Sequence, residues 1–565
     1  MTTEPLIIGD WDLGIGDSPL KGFELIRNAS LRSSQGSISP NYETIQEHAT
    51  ASSSTFTAVA ATDVCTVGGA FTALTTGVAV TLTTTGTLPA GLSLSTTYFI
   101  ILVSGSTYKL ATTYANSQSS TAIDITDTGT GTHTMATINI GTVNSIARDY
   151  LNSVTFILDS NARAWAYENG ELYLMPGNTL TSGVGKGLVH FINSDATGRF
   201  LFVFRNNAID VMNVTTAARR KDPVGTSSWT NGWQTMNTTA GTENSHHAIV
   251  GQDNKIYFCD ARYVGRITEA TTFDPASGAT YTYTNNALDL PQGELAEWLD
   301  ELGVNLLIAG KTYRYIYPWD RVSDSFFLPI RCAENGVYRI KNINNTVFIL
   351  NGLTGNIYST QGSVVRLLKQ IPENIMGGGS ANLVTWGGVS EKQGSLLFGV
   401  GMTNNSANSG LYMVSESGVL VQENTPSTGA TNVTAVISQA GGEFYDLGYA
   451  SGFDTTDTNR YASFETVARS ALFQVATKTE QGSFNTLEVQ MNRPASSGSV
   501  RVSYRENLGS TAFTTIATFT MDGATTSFTY DAGLTDLEKI QVQVEMSGTG
   551  STNNLVDLYQ VRLLP

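Results

Sequence analysis

The chain is short of charge, cysteine, helical periodicity and long apolar runs, and each shortage excludes something. Charged residues are 14 % of the 565, against roughly 25 % in an ordinary soluble domain. The longest unbroken apolar run, Tyr98–Val103, falls far below the roughly 20 residues needed for a membrane-spanning helix. The three cysteines, Cys65, Cys259 and Cys332, are odd in number and far apart. They make neither a zinc spacing nor a disulfide framework, and they fit synthesis in a reducing compartment. The opening Met1-Thr-Thr-Glu-Pro5 has no basic n-region and no apolar h-region, so no secretory signal is expected. Lys+Arg 32 against Asp+Glu 48 leaves a net charge of −16, which disfavours a surface built to grip phosphate backbones.

What the sequence has instead is Thr, Ser, Asn and 55 glycines, the composition of a turn-rich all-β protein. One segment, 293–303, has helical spacing, with Leu295, Trp298, Leu299 and Leu302 at i, i+3, i+4 and i+7. A short helix is expected there. All other periodic segments read as strands.

The composition shifts near Ala51. Residues 51–140 hold 24 threonines, one Lys (Lys109) and three acids (Asp63, Asp124, Asp127). Val78, Val80 and Leu82 alternate with smaller residues. Ser104-Gly105 punctuates a hairpin, and Ala122–Thr126 and Gly131–Thr137 add two further strands. Residues 49–140 are therefore expected to form an inserted Thr-rich β-sandwich.

Between 141 and 440 a strand pair recurs, an apolar strand followed by a turn and an aromatic-bearing strand. The apolar strands centre on Phe156, Phe202, Ile256, Leu307, Phe348 and Leu397, in steps of 46, 54, 51, 41 and 49 residues. That period, with several strands per unit, predicts a β-propeller-like body of about six or seven blades. Residues 1–48 are expected to join that body. The last blade is expected to be closed by the Leu6–Ser34 stretch or by a strand after Asn432. Residues 441–565 read as a C-terminal β-sandwich, because Leu487–Met491, Val500–Tyr504 and Ile540–Met546 alternate strictly.

The sequence offers little chemistry. His246-His247 is the only histidine pair, and neighbours on a strand face opposite ways. Asp10, Asp12 and Asp17 lie in a glycine-rich turn but lack the ligand series of a calcium loop. Asn193-Ser-Asp195-Ala-Thr-Gly198 approaches the Asp-box of sialidase-like propellers with the wrong spacing, and reads better as a hairpin. Trp229, Trp233 and Trp319 are candidates for sugar stacking, with blade packing as the commoner role. Gly377-Gly378-Gly379 reads as a loop. No catalytic, cofactor or metal residue is assigned.

Two stretches carry a resemblance. Thr87-Leu-Pro-Ala-Gly-Leu92, Thr97-Tyr-Phe-Ile-Ile101, Tyr108-Lys-Leu-Ala111 and Ala122-Ile-Asp-Ile-Thr-Asp-Thr-Gly-Thr-Gly-Thr-His133 together resemble a β-sandwich module found in tailed-bacteriophage virion proteins. Gly16-Asp-Ser-Pro-Leu-Lys-Gly-Phe23 with Ile26-Arg-Asn28 resembles the opening of phage structural proteins with a propeller-like body. The order of parts is similar to that of a short-tailed phage's tail nozzle (tail tubular protein). The resemblance implies a non-enzymatic virion protein that forms a homo-oligomer, a hexamer, assembled in the host cytoplasm. Its partners would be other tail proteins such as adaptor and fibres, genomic DNA passing unbound through the lumen, and the host surface. A receptor-binding or glycan-degrading tail protein, or a collar or head decoration protein, is the alternative. For a nozzle, carboxylates are expected in the lumen, with Glu294, Glu297, Asp300, Glu301, Asp10, Asp12 and Asp17 as candidates.

Overall fold

The computed structural model describes residues 6–9, 23–46 and 52–565, apart from 28, 33–36, 41, 69–70, 72–73, 176–184, 206, 222–228, 238–245, 377–382, 428, 451, 461–465, 471–472, 475–481, 507–511 and 549–555. The chain divides into two compact units, one of residues 1–46, 330–447 and 454–565, the other of 47–329 and 448–453. It is all-β, with a β-propeller-like body of four-stranded antiparallel meanders. Seven are present among the described residues, six as separate sheets and one embedded in a larger sheet.

The first three sheets begin with Val143–Asp149, Gly185–Ile192 and Ala248–Val250. Each continues through a second strand that is apolar on both faces. In Val154–Asp159 all six residues are buried, and in Ile256–Asp260 all five. Such a strand reads as a continuous hydrophobic run because sheets pack on both its sides. Clusters shared by neighbouring sheets supply that cover. Phe202 and Phe204 pack with Phe258 and Phe273, and Tyr257 with Leu306 and Trp319. The recurring apolar strands of the sequence are thus the second strands, and Val154–Asp159 and Thr346–Asn351, buried throughout, each follow a less buried first strand.

The fourth sheet differs from the sequence expectation. Ala296–Leu302 is its first strand, not a helix, and pairs with Asn305–Gly310. A register shift between Ala296 and Trp298 breaks the alternation. Ala296 and Leu299 are both buried as a result, and a bulged strand thereby imitates helical spacing. Gly303 (φ 57°) makes the hairpin turn.

In the other unit, the fifth sheet starts with Val337–Ile343 and the sixth with Val384–Lys392. Gly399 on the second strand of the sixth sheet is required by close approach, since a Cβ there would lie 1.7 Å from the Val433 carbonyl oxygen. Val433 begins the seventh sheet, which is completed by Tyr42–Gln46 pairing with Gly452–Arg460. Strands after Asn432, one of the two sources read from sequence, thus supply three strands of this sheet, and the fourth is Tyr42–Gln46 rather than any strand of Leu6–Ser34.

The strands before it go elsewhere. Leu6–Ile8, Ala29–Arg32 and Ser37–Pro40 join Gly482–Met491, Ser527–Leu537 and Leu558–Leu564 in one sheet of the C-terminal sandwich. Phe23–Arg27 lies between Leu420–Asn424 of the sixth sheet and Thr466–Ser470 of the sandwich, joining them into one continuous sheet. At this seam the half-buried Arg27 guanidinium donates to Gln422 Oε1 (2.7 Å) and Asn408 Oδ1 (2.6 Å). The sandwich core includes Leu487, Val489, Val502, Val544 and Val561. Gly482–Met491 largely alternates as expected, but Lys539–Ser547 is buried on both faces at most positions.

The inserted module is a single closed barrel rather than two open sheets. Its strands run Thr107–Ala111, Val64–Val67, Ser53–Val59, His133–Thr137, Ala79–Thr84 and Tyr98–Ser104, and the last pairs back to the first. Closure leaves no free edge. Phe56, Phe71, Val80, Leu82, Tyr108 and Met135 fill it. Ala122–Thr126, expected as a strand, is extended chain outside the barrel ladder that follows a short helix, Tyr114–Gln118. The barrel's ends meet, because Ser52 N–H donates to Thr137 Oγ1 (3.0 Å) and Thr137 N–H to Ser52 O (2.9 Å).

Replacing 52–137 by a short Gly-Ser bridge is expected to leave a soluble body with a cooperative melt, since closing a short loop between adjoining ends costs little. Removing 1–46 is expected to give insoluble protein, because it takes away the fourth strand of the seventh sheet and the strand at the sandwich seam. Gel filtration and circular dichroism melting of both deletions check this.

Candidate functional site

The acidic stretch singled out in the sequence turns inward. Glu294 is 1 % exposed. Its Oε1 accepts N–H bonds from Leu295 (3.0 Å) and Thr312 (2.8 Å), and its Oε2 accepts the Tyr317 hydroxyl (3.0 Å). Glu297 is also buried and lies 3.5 Å from Lys311 Nζ, while Glu301 pairs with the buried Arg321. The expectation that Glu294, Glu297 and Glu301 present free charge to a lumen is therefore corrected. Strand geometry and backbone hydrogen bonding take up these carboxylates. Asp10, Asp12 and Asp17 lie outside the described residues, as does 377–379.

The same device recurs in other sheets. Asp159 accepts N–H bonds from Gly141, Asn161 and Arg163, and one from Trp165 Nε1 at 3.0 Å. Glu334 accepts from Asn356 and from Tyr358, each at 2.8–2.9 Å. Each carboxylate fastens a turn to an aromatic on the third strand. Nothing in the sequence marked these residues, because the spacing between acid and aromatic differs in every sheet.

The other candidates are likewise structural. Residues 193–198 form the hairpin between the first two strands of the second sheet, where Asp195 accepts from Thr197 N–H (3.1 Å) and Thr272 Oγ1 (3.0 Å). Trp229 and Trp319 are buried. Trp233, half-buried, packs its ring against Phe202, Phe273 and Tyr281. His246 is buried with Nδ1 3.0 Å from Cys259 O. His247 stacks on Trp298 at 3.5 Å and accepts the Leu299 N–H through Nδ1. Among the described residues no group of three His, Cys, Asp or Glu could hold a metal ion.

Burial does create one titrating group. His190 stacks on Phe156 (5.7 Å between centroids) and lies 3.7 Å from Asp149 Oδ2. Burial first, helped by the Arg199 and Arg220 guanidiniums and opposed by Asp149, pushes its pKa down to about 4.

A cavity of about 500 Å³ lies between the barrel and the outer strand of the first sheet. Its rim is a polar cluster. Tyr114 OH donates to Glu171 Oε2 (3.1 Å), which also takes a bond from Lys221 Nζ (3.2 Å). Lys221 Nζ lies 5.3 Å and 4.9 Å from the Tyr114 and Tyr173 ring centroids. Beneath, buried Arg220 donates to Glu168 (2.5 Å), which also accepts the Tyr173 hydroxyl (2.9 Å). Burial, then Glu171, raises the Tyr114 pKa, and burial, then Glu168, raises that of Tyr173. Both phenols stay neutral donors.

No protein-family model and no curated protein matches the chain. Among solved structures it is similar to the WD40 repeats of RRP9 (12 % identity, 56 % of this chain and 94 % of that one, TM-score 0.40). It is also similar to the Cps50 (Swd1) β-propeller domain of Myceliophteria thermophila (8 %, 56 % and 96 %, TM-score 0.39). A third is YCF48 bound to D1 peptide (10 %, 56 % and 95 %, TM-score 0.38). The class of the chain, all-β with a β-propeller-like body, rests on the strand pairing described above.

Two outcomes are expected. Glu294→Ala strands a buried hydroxyl and two N–H groups and should cost about 2–4 kcal/mol in chemical denaturation, with Glu294→Gln losing less. His190 protonates in the unfolded chain near pH 6.5 but in the fold only near 4. The unfolded state therefore binds more protons in that window, and stability falls as pH drops through it. The loss should total about 3 kcal/mol, and His190→Gln should flatten that slope.

Proposed function

We propose that the chain is a structural component of a bacteriophage tail, the nozzle that forms the distal DNA-exit conduit. The observation that carries this reading is the inserted module. The residues that resemble the phage virion module lie in a self-contained closed barrel, and the chain enters and leaves it through adjoining hydrogen-bonded residues. That is the form of an accessory unit grafted onto a body without disturbing it.

Three features support a permanent assembly part. The carboxylates at the candidate positions in the described sheets are engaged with turn backbone and neighbouring cations. The surface of the barrel is hydroxyl-rich and nearly uncharged. The net charge of −16 suits a conduit that must release DNA, because each phosphate neutralised by a basic side chain would add salt-dependent affinity. In this reading the chain has no catalytic role and no cofactor, and works as a homo-oligomer whose heterologous interface closes into a ring. Its neighbours are adaptor and fibre proteins of the tail and, through the barrel, the host surface, and it is assembled in the host cytoplasm.

The test is the symmetry of the assembled protein. Native mass spectrometry and electron microscopy of labelled tails are expected to give six copies around a pore wide enough for a duplex about 20 Å across, on the scale set by the grooves of B-DNA. The purified ring is expected not to retain duplex DNA even at low salt. Three copies without a pore would favour the receptor-binding or glycan-degrading alternative, and a position on the head or collar would favour the decoration protein.

A further inference from the structure

The barrel is folded for itself. Its core draws only on its own residues, from Phe56 to Met135, and its ladder closes on itself. Where it faces the first sheet lies the cavity of about 500 Å³, walled by Leu74–Ala79 on one side and Gly170–Leu174 on the other. Protein interiors hold few voids larger than a water molecule, so this boundary is not continuous core. Modules that share little apolar interface move relative to each other by default.

The attachment is narrow as well. Ser52 and Thr137 adjoin, so the chain enters and leaves the barrel at one place. Ile138 N–H still donates to Ala79 O (2.8 Å) within the barrel, whereas Gly141 N–H donates to Asp159 Oδ2 (2.9 Å) on the first sheet. Between these two anchors stand Asn139 and Ile140. Each residue brings two soft dihedrals, and a hinge needs only a few such positions at the end of an element.

Away from this pivot, one barrel side chain makes several contacts with the sheets at once. Tyr114 sits on the short helix, which is set by the Thr113 hydroxyl accepting Asn116 N–H (3.0 Å) and by Ser117 Oγ donating to Tyr114 O (2.6 Å). On the barrel side its ring meets Phe99 edge-on (6.2 Å between centroids) and crosses Gly77, where a Cβ would lie 2.7 Å from Tyr114 Cε2. On the other side it packs on Tyr173 (5.1 Å between centroids), faces Lys221 Nζ (5.3 Å) and donates to Glu171 Oε2 (3.1 Å). The receiving surface is itself fixed, because buried Glu168 holds the Tyr173 hydroxyl and buried Arg220 holds Glu168. A hydrogen bond, an aromatic pair and a cation–π contact together favour the docked arrangement by about tenfold to a hundredfold.

We propose that the barrel is a hinged arm, pivoting at Asn139 and Ile140 and held against the first sheet by Tyr114. Withdrawal of this side chain from Tyr173, Lys221 and Glu171 swings the barrel away and uncovers the cavity walls. The inference stands on this unit alone and does not depend on the tail assignment.

The test is a distance distribution by electron–electron double resonance on the full chain. Spin labels go on Leu94→Cys in the barrel and Leu151→Cys in the first turn of the first sheet, both exposed positions. The native Cys65, Cys259 and Cys332 are buried and escape labelling. With Tyr114 in place, one narrow peak is expected. Tyr114→Ala should raise the undocked share by about tenfold or more, and Tyr114→Phe, which keeps the ring contacts, by less. Because Tyr114→Ala also removes a contact inside the barrel, a Glu171→Ala/Lys221→Ala double variant, which leaves the barrel unaltered, should broaden the distribution in the same direction. A peak that stays narrow and unmoved in both Tyr114→Ala and the double variant would overturn the proposal, as would a distribution already broad with Tyr114 in place.

Discussion

A strand apolar on both faces cannot stop at one sheet. Val154–Asp159, Ile256–Asp260 and Thr346–Asn351 are buried at every residue, and each would expose a hydrophobic face if its four-stranded meander stood by itself. Burying such surface is worth roughly 25 cal/mol per Å², so these second strands oblige each sheet to take neighbours on both sides. The shared aromatic clusters and the glycines that admit a neighbouring backbone follow from that obligation.

The beginning of the chain answers a related problem at the other end. The seventh sheet lacks an outer strand of its own and takes Tyr42–Gln46. The sixth sheet would expose the edge of Leu420–Asn424, and Phe23–Arg27 covers it while carrying the sheet on into the sandwich. Arg27 at that seam exchanges water for Gln422 and Asn408. A half-buried guanidinium is tolerated where such acceptors replace its hydration. The first 46 residues thus tie together elements that the rest of their unit leaves open.

Low charge has a structural counterpart. With few acids available, the fold places several of them as internal fasteners, as Glu294 and Asp159 show, rather than as surface solvation. A buried carboxylate that accepts several N–H and O–H bonds is stable because those donors would otherwise be unpaired. The same economy leaves the barrel's outside to hydroxyls.

The strand-rich class, the 40–50-residue repeat, the Thr-rich insertion and the distinct C-terminal part were legible because hydrophobic period and composition are local properties. Segment 293–303 misled for a local reason too, since one bulge can make a strand repeat at helical spacing. Closure of the insertion into a barrel and the dispersal of the first 46 residues among three sheets were not legible. Strand pairing is a contact between distant residues, and alternation says which face is wet but never which edge is joined. The same holds for the carboxylates. Sequence showed a charged stretch at Glu294–Glu301, and only the tertiary structure turned Glu294 inward, because the donors that hold it come from a turn 18 residues away and a strand 23 residues away.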